Sequence, residues 1–321
     1  MNVCITHPIP GSGPEILRRQ GFHVTVLEQD TPYTKSELLA LVQHEQYDAV
    51  LSLLTDPIDG EVIGALGAQC KIIANYAVGF DNIDIKEAHK RGIVVTYTPG
   101  VLTDAVAGHT IALILALSRR VVEGDIFIRS GEFKGWTSTL LLGEDIKGKT
   151  LGVVGLGRIG SEVARRMKAA FDMNILYYDV RRNSDAERLC GARFCELDAL
   201  LQSADVVSLH TNLTPETRHM IDTERLALMK KTAYLVNTSR GAVIDEAALV
   251  VALQGQHIAG AALDVLEHEP TPAAGLLDLH NVVLTPHIAS ASRHARETMS
   301  EMSAHDIIEV LEGRPALHSV K

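Results

Sequence analysis

The sequence predicts an α/β protein built from two doubly wound parallel-sheet domains. Short runs of β-branched residues alternate with segments of helical spacing, and this alternation occurs twice, before about residue 98 and again after Lys149. The predicted strands are almost continuously apolar, as parallel strands are when helices cover both faces of their sheet. With 321 residues, of which 46% are apolar and 22% charged, the chain is long enough to bury a core in each domain.

The first series contains predicted strands that are rich in β-branched residues and bounded by Gly, Pro or Asp. They are VCIT (3–6), HVTVLE (23–28), DAVLSLL (48–54), KIIANY (71–76) and IVVTY (93–97). Between them, PEILRRQG and IDIKEAHKRG have helical spacing and end in glycine, as helix C-termini often do. These elements predict the first domain.

The second series predicts a larger domain of the same kind. Its predicted strands are TLGVVG, NILYYD, DVVSLH, AYLVNT, IAGAALDV and NVVLTP. Helical segments such as TERLALMKK and DEAALVVALQG lie between them. The alternation again indicates parallel strands joined by crossover helices.

Two further segments have helical spacing. Residues 102–130 predict one long buried helix that also contributes to a subunit interface, and residues 290–313 predict a closing helix that packs on the first domain. The apolar positions that predict the long helix are Val106, Ile111, Leu113, Leu117 and Val121.

Charge and cysteine usage limit the partners and the compartment. The net charge of −10 disfavours nucleic acid and anionic membranes, so an anionic substrate needs a local cluster of positive groups. No signal peptide is predicted, and the longest apolar stretch (111–117) is too short to span a bilayer. Four cysteines, Cys4, Cys70, Cys190 and Cys195, form no CxxC pair, which predicts buried or half-buried thiols in the cytoplasm.

A glycine-rich turn is the most informative short motif. VGLGRIG (154–160) has the spacing GxGxxG, which is weak evidence alone, but here it follows a predicted strand and opens a predicted helix. Gly155 permits the tight turn, Gly157 lets a pyrophosphate approach the backbone, and Gly160 lets the helix pack on the strand. With Arg158 and Ile159 at the helix N-terminus, these glycines predict a dinucleotide site.

The acidic residue expected in such a site is Asp179, which ends a predicted strand 19 residues after Gly160. A carboxylate there accepts the ribose hydroxyls of NAD and repels the 2′-phosphate of NADP. By itself Asp179 could equally form a turn at the strand end. Arg181 and Arg182 follow, so NADP is a less favoured alternative to NAD.

Three segments of the second domain place titratable residues at strand ends, where open α/β sheets bind ligands. They are NTSRG (237–241), LDVLEHEP (263–270) and LTPHIA (284–289). Considered singly, Arg240 could be a surface arginine, Glu269 a solvated turn residue, and His287 one of 14 histidines. Together they suggest a catalytic site.

Nearly end to end, the chain resembles the D-isomer-specific 2-hydroxyacid dehydrogenases, most closely the glyoxylate and hydroxypyruvate reductases among them. The matching segments are YAVGFDNIDIKEAHKRGI, VLTDAVA, GKTLGVVGLGRIG, LTPETRHMI, LMKKTAYLVNTSRGAVID, ALDVLEHEP and NVVLTPHIASAS. The resemblance implies a flavodoxin-like substrate domain (1–98 plus 290–321), a Rossmann NAD-binding domain (99–289) and a cleft between them. It also implies a soluble oxidoreductase that acts as a homodimer.

The family's catalytic set falls on Arg240, Glu269 and His287. The resemblance implies that Arg240 binds the substrate carboxylate, for which its planar guanidinium is suited. His287 would give or take the proton at the C2 oxygen while hydride moves between NAD(H) and C2. Glu269, as its hydrogen-bonding partner, would favour the imidazolium form. Glu267 is the nearest rival for the glutamate role, but Glu269 directly precedes proline.

Further positions carry over from the family. Asp264 resembles the nicotinamide carboxamide contact, and His210 and Asn212 lie where the family lines the adenosine, although Asn212 replaces a common proline. The remaining predicted contacts are Thr103 and Thr238 for the cofactor, and Leu54, Val78 and Gly79 with Arg240 and His287 for the substrate.

The predicted substrate is a small monoanion, because Val78 is uncharged and its loop carries no extra cation. Glyoxylate or hydroxypyruvate, reduced to glycolate or D-glycerate, fits best. The alternatives are the same chemistry on 3-phosphoglycerate, D-lactate or a larger 2-keto acid, and an NAD-sensing binding protein on the same fold. No metal site is predicted. Trp136 either reaches a neighbouring subunit or anchors a loop.

Overall fold

The computed structural model describes residues 1–29 and 31–321. They form two compact units, which we call the first unit (Met1–Leu102 and Ala291–Lys321) and the second unit (Thr103–Ser290). Each unit contains one sheet whose strands are parallel throughout, with helices between successive strands. The predicted α/β class with two doubly wound parallel sheets is confirmed.

The first unit is built on a five-stranded sheet of order β2-β1-β3-β4-β5. The strands are β1 (Asn2–Ile5), β2 (His23–Val26), β3 (Ala49–Ser52), β4 (Ile72–Asn75) and β5 (Val94–Thr96). The helices are α1 (Gly13–Arg19), α2 (Lys35–His44), α3 (Gly60–Ala65), α4 (Ile85–Lys90) and, late in the chain, α12 (Arg293–Leu311). The central strands β3 and β4 are buried along their whole length, which explains their continuous apolar sequence.

The closing helix predicted over 290–313 is confirmed as α12, and it packs closely on α1. A Cβ on Gly13 would lie 2.4 Å from the carbonyl oxygen of Ser300, so a larger residue there would push the helices apart. Ser292 caps α12 by accepting the Ala295 N–H.

The second unit is built on a seven-stranded sheet of order β12-β11-β10-β9-β6-β7-β8. The strands are β6 (Thr150–Val154), β7 (Asn174–Tyr178), β8 (Arg193–Phe194), β9 (Val206–Leu209), β10 (Tyr234–Asn237), β11 (Gly260–Leu263) and β12 (Val282–Leu284). The helices are α5 (Thr103–Ser118), α6 (Val121–Arg129), α7 (Arg158–Phe171), α8 (Ser184–Cys190), α9 (Leu197–Ser203), α10 (Thr223–Leu228) and α11 (Glu246–Gln254).

The prediction of one long buried helix over 102–130 is wrong. Two helices occupy the segment, because Arg120 adopts a left-handed φ of 54° and its guanidinium binds Glu123 in the first turn of α6. Helix α5 buries one face, which includes Val106, Leu113 and Leu117, whereas α6 has no buried residue and exposes Val121, which we expected in the core.

An exposed apolar surface therefore extends over α6 and the segment after it. We call it the α6 surface, and its members are Val121, Val122, Ile126, Ile128, Phe133, Trp136 and Leu142. Trp136 is 82% exposed, so it does not anchor a loop within its own chain.

Within residues 1–29 and 31–321, no helix combines the length and apolarity needed to cross a membrane.

A pH-dependent ion pair stabilises α7. Hydrogen bonds from Arg165 hold the pKa of Glu162 at about 2, with help from Arg166 and against the opposing effect of burial. Because the pKa is lowered by folding, this stabilisation is full above pH 4.5 and is lost as pH falls towards 2. We expect Glu162→Gln to cost about 1 kcal/mol at pH 7, or about 2–4 °C in Tm.

Thermal melts of both proteins from pH 7 to pH 3 test this expectation. The Tm difference should shrink as pH falls, whereas Glu15→Gln, which removes an exposed pair with Arg18, should change Tm by less than about 1 °C at any pH. A Glu162→Gln difference that is constant with pH would contradict the ionic origin of the effect.

Candidate active site

The glycine turn between β6 and α7 has the geometry that each of its glycines was expected to provide. Gly155 has a φ of 92°, and a Cβ there would lie 2.6 Å from the His210 carbonyl oxygen. A Cβ on Gly160 would lie 2.1 Å from the Gly155 carbonyl oxygen. By contrast, a Cβ on Gly157 would meet nothing within 4 Å, so the backbone there is open to an approaching ligand.

Asp179, directly after β7, holds this turn to the neighbouring strand. Its Oδ2 accepts the Leu156 N–H at 2.8 Å, and its Oδ1 accepts the Arg181 N–H at 3.2 Å. The amide of Asn183, which the sequence did not single out, donates to the Leu156 carbonyl at 2.8 Å. A surface groove beside the turn is lined by Gly157 and Asn183, together with Arg158, Ser161 and residues of α8.

The residues expected on the adenosine side lie at the end of β9, next to β6 in the sheet. Nε2 of His210 is 2.8 Å from Oγ of Ser208, and burial lowers the pKa of His210 to about 4, so the ring is neutral at physiological pH. Asn212 is exposed, and its carbonyl accepts the Thr217 hydroxyl at 2.7 Å.

The two threonines predicted as cofactor contacts lie near α5. Thr103 is the first residue of α5, and Thr238 follows β10. Oγ1 of Thr238 is 2.9 Å from Oγ1 of Thr110, whose own hydroxyl donates to the Val106 carbonyl. Thr238 therefore donates to Thr110. The lone pairs of the Thr238 hydroxyl stay available to accept a further hydrogen bond.

Arg240, Glu269 and His287 follow β10, β11 and β12, which are neighbours in the sheet. Nδ1 of His287 lies 2.9 Å from Oε2 of Glu269. Burial raises the pKa of Glu269, but its bond and charge interaction with His287, the Leu266 N–H and the charge of Arg240 outweigh burial and bring the pKa below its ordinary value. The carboxylate is thus ionised at neutral pH and accepts a hydrogen bond from the Nδ1–H of His287.

The loop that carries Arg240 is shaped by a buried asparagine. Oδ1 of Asn237 accepts both the N–H and the hydroxyl of Ser239, and its amide donates to the Arg240 carbonyl at 2.9 Å. Nη1 of Arg240 donates to the Ser239 carbonyl at 2.9 Å. The turn therefore fixes the backbone at both sides of the arginine.

His287 has a left-handed backbone, with a φ of 55°. Its N–H donates to the Asp264 carbonyl at 2.8 Å, and the buried Asp264 carboxylate accepts the Thr285 hydroxyl and the N–H groups of Ile288 and Ala289. Asp264 therefore holds the His287 loop, a task that its position in the sequence did not reveal. Its contact with a nicotinamide carboxamide stays a prediction.

The chain is similar to a known protein family. The family model for the NAD-binding domain of the D-isomer specific 2-hydroxyacid dehydrogenases matches residues 111–289, more than half of the chain. The chain belongs to this family. It is therefore an NAD-dependent dehydrogenase, as the resemblance of its motifs predicted.

Individual relatives match this chain over nearly its whole length. A glyoxylate reductase of Thermofilum pendens is 51% identical over 320 residues, covering 98% of this chain and 93% of the relative. The crystal structure of the TT0316 protein from Thermus thermophilus has a TM-score of 0.93 at 45% identity, with both chains covered completely. A glyoxylate reductase structure from Paecilomyes thermophila has a TM-score of 0.88 at 34% identity, covering 100% of this chain and 98% of that one.

The second unit of this dehydrogenase fits an NAD molecule on its own geometry. The open backbone at Gly157 lies at the N-terminus of a 14-residue helix, where free N–H groups and the helix dipole favour phosphate. Gly155 and Gly160 are required by the close backbone contacts of the turn. Asp179 has lone pairs remaining for ribose hydroxyls.

The contact at Gly160 gives a direct test of the cofactor site. We expect Gly160→Ala to raise the Kd for NADH at least tenfold, because the new methyl group forces the turn away from the helix. Gly108→Ala, in α5, is the matched control, since its Cβ meets only Arg166 at 3.9 Å. Fluorescence titration with NADH measures both, and equal affinities in the two variants would refute the expectation.

In the first unit, Leu54 follows β3, and Val78 and Gly79 follow the adjacent β4. Two asparagines that the sequence did not single out hold these loops: Asn82 joins one to the other, and Asn75 ties the second loop to β4. The amide of Asn82 donates to the Leu53 and Asp56 carbonyls at 3.1 and 3.0 Å, and the amide of Asn75 donates to the Gly79 carbonyl at 2.8 Å. The predicted substrate residues of this unit therefore lie in two loops that hydrogen bonds join.

Proposed function

We propose that this dehydrogenase reduces a small 2-keto acid, glyoxylate or hydroxypyruvate, to the corresponding D-2-hydroxy acid with NADH. The observation that carries the proposal is the 2.9 Å contact between His287 and an ionised Glu269, with the charge of Arg240 acting on the same carboxylate. The substrate is supported by the 51% identity to a relative named glyoxylate reductase.

Each member of this set has a distinct part in the proposed reaction. Arg240 binds the substrate carboxylate through its planar fork and polarises the C2 carbonyl. His287 donates a proton to the C2 oxygen, and Glu269 holds the imidazole through Nδ1 so that Nε2 faces the substrate. When bound, the nicotinamide supplies the hydride to C2. In the oxidative direction His287 accepts the proton.

We assign the remaining predicted residues to binding. The second unit binds NADH through its glycine turn, Asp179, and the contacts predicted at Thr103, His210, Asn212, Thr238 and Asp264. In the first unit we assign Leu54, Val78 and Gly79 to substrate binding. Asp179 disfavours the 2′-phosphate of NADPH. We assign the predicted substrate domain (residues 1–98 with 290–321) to the first unit and the predicted NAD-binding domain (residues 99–289) to the second.

A substrate panel tests this proposal. NADH consumption is measured with glyoxylate, hydroxypyruvate, pyruvate, phosphohydroxypyruvate and phenylpyruvate under identical conditions. We expect kcat/KM to be at least tenfold higher for glyoxylate or hydroxypyruvate than for the other acids. A preference for phosphohydroxypyruvate or phenylpyruvate would assign a phosphorylated or aromatic acid as the substrate instead. NADH binding without turnover of any acid would favour an NAD-sensing binding protein.

We also propose that the chain forms a homodimer through the α6 surface. Several large apolar side chains exposed on one short helix and its continuation are characteristic of a surface that a partner covers. Light scattering should find Ile126→Glu and Ile128→Glu variants as monomers and the unchanged chain as a dimer. Leu189→Glu, at an exposed residue of α8, is the control that should leave the dimer intact. A monomeric unchanged chain would refute the proposal.

A cytoplasmic location completes the proposal. The four cysteines are free thiols, the form that a reducing compartment maintains, and burial raises the pKa of Cys4 and Cys70 to about 12. Fractionation of cells should therefore recover the activity with cytosolic marker enzymes. Recovery with secreted proteins would contradict this location.

A further inference from the structure

His219, in the segment LTPETRHMI, has no part in the proposed reaction, yet it contacts the loops of two residues that do. Its backbone N–H donates to the Ala242 carbonyl at 2.8 Å, two residues after Arg240. Its ring Nε2 lies 2.6 Å from Oε1 of Glu267, two residues before Glu269. A left-handed φ of 50° lets one residue make both contacts.

The partner of His219, Glu267, exchanges two hydrogen bonds with Glu246. Oε2 of Glu267 accepts the Glu246 N–H at 3.3 Å, and Oε2 of Glu246 accepts the Glu267 N–H at 3.1 Å. Oε1 of Glu246 is buried and has no hydrogen-bond partner among the described residues. These bonds leave Oε1 of Glu267 to accept from a side-chain donor.

His219 supplies that donor. Burial raises the pKa of Glu267, but the hydrogen bond from His219 and further interactions bring it below its ordinary value, so the carboxylate is ionised. Arg218 and His268 are both 3.9 Å from the same oxygen, and both are more exposed than His219. The short bond from His219 is therefore the main polar restraint on the Glu267 side chain.

The backbone around Glu267 transmits this restraint to the site. A Cβ on Gly241 would lie 1.9 Å from the Leu266 carbonyl carbon and 2.4 Å from the Glu267 nitrogen, so the two loops are in direct contact. The Leu266 N–H donates to Oε1 of Glu269 at 3.2 Å. A displacement of Glu267 therefore moves both Gly241, next to Arg240, and the donor that orients Glu269.

We propose that the His219–Glu267 pair positions Arg240 and Glu269 for catalysis. The inference rests on the proposed function, since it assigns these two residues their catalytic parts. His219 and Glu267 are positioning residues: neither touches the reacting atoms, and each acts through the loop that it restrains.

The test compares His219→Met with His219→Gln. The two replacements have the same length, but only glutamine keeps an N–H donor at the position of Nε2. We expect His219→Met to lower kcat/KM for the acid about tenfold and to shift the pH profile of kcat/KM, while His219→Gln stays within about threefold of the unchanged enzyme. The Kd for NADH should change in neither. His257→Met, an exposed histidine of the same unit, should have no effect.

A double-mutant cycle with Glu267→Gln tests whether the two residues act through their bond. The double variant His219→Met/Glu267→Gln should be no worse than the poorer single variant, because both changes remove one interaction. Additive losses would overturn the proposal. A lower Tm for His219→Met with an unchanged pH profile and unchanged KM would also overturn it, since that result describes a merely structural residue.

Hydrogen exchange separates this proposal from the proposed function. If the unchanged enzyme reduces none of the acids, the proposed function fails, but amide exchange in residues 240–243 and 266–269 still reports the restraint. Faster exchange in both segments of His219→Met, and not of His219→Gln, would support the positioning role. Unchanged exchange in both variants would overturn it.

Discussion

Replacing His287 with asparagine is expected to lower kcat about 10²–10⁴-fold without weakening NADH binding. Asparagine suits the position for two reasons: it tolerates the left-handed φ of 55°, and its Nδ2 can donate to Glu269 as Nδ1 of histidine does. The substitution thus keeps the loop and removes the acid at Nε2. Steady-state consumption of NADH gives kcat, and fluorescence titration gives the Kd for NADH.

His268→Asn is the control, because this histidine directly precedes Glu269 in the sequence but is 81% exposed. Its kcat should stay within about twofold of the unchanged enzyme. If His287→Asn kept more than a tenth of the activity, another group would have to donate the proton.

Replacing Arg240 with lysine is expected to lower kcat/KM for the acid about 10²–10³-fold, mainly through a higher KM. Lysine keeps the positive charge, so the loss would measure the planar fork that binds a carboxylate at two points. The surrounding turn should persist, because Asn237 holds the backbone carbonyl of residue 240 rather than its side chain. Initial rates over a range of acid concentrations separate KM from kcat.

Arg193→Lys, at an exposed residue of β8, is the matched control and should leave KM unchanged. An Arg240→Lys enzyme with normal KM and reduced kcat would mean that the arginine acts on the C2 oxygen alone. Unchanged values of both would remove Arg240 from the catalytic set.

The parts of this structure that the sequence predicted are those with a local physical cause. The glycine turn is one: Gly155 and Gly160 are each required by contacts within a few residues or with the adjacent strand, whereas Gly157 leaves the backbone open to a ligand. The strands are another, because burial on both faces makes them continuously apolar. Parallel strands then bring the segments that carry Arg240, Glu269 and His287 to one edge of the sheet.

The parts that could not be predicted depend on distant contacts or on single backbone angles. The left-handed Arg120 divides a segment whose apolar spacing continues through it, so periodicity alone indicated one helix. His219 and Glu267 are 48 residues apart, and no short motif joins them. The three groups that donate to the Asp264 carboxylate come from the segment after β12. They are more than 20 residues away in the sequence and meet Asp264 only in the folded chain.

The left-handed conformation of His287 has a consequence for engineering this enzyme. Adopting such a backbone costs most side chains about 1–2 kcal/mol, and glycine, asparagine and aspartate are the exceptions. A tyrosine, lysine or cysteine placed here as the proton donor would bear this cost in the loop that Asp264 holds. The choice of chemistry at this position is therefore limited by the shape of the main chain before any side-chain acidity is considered.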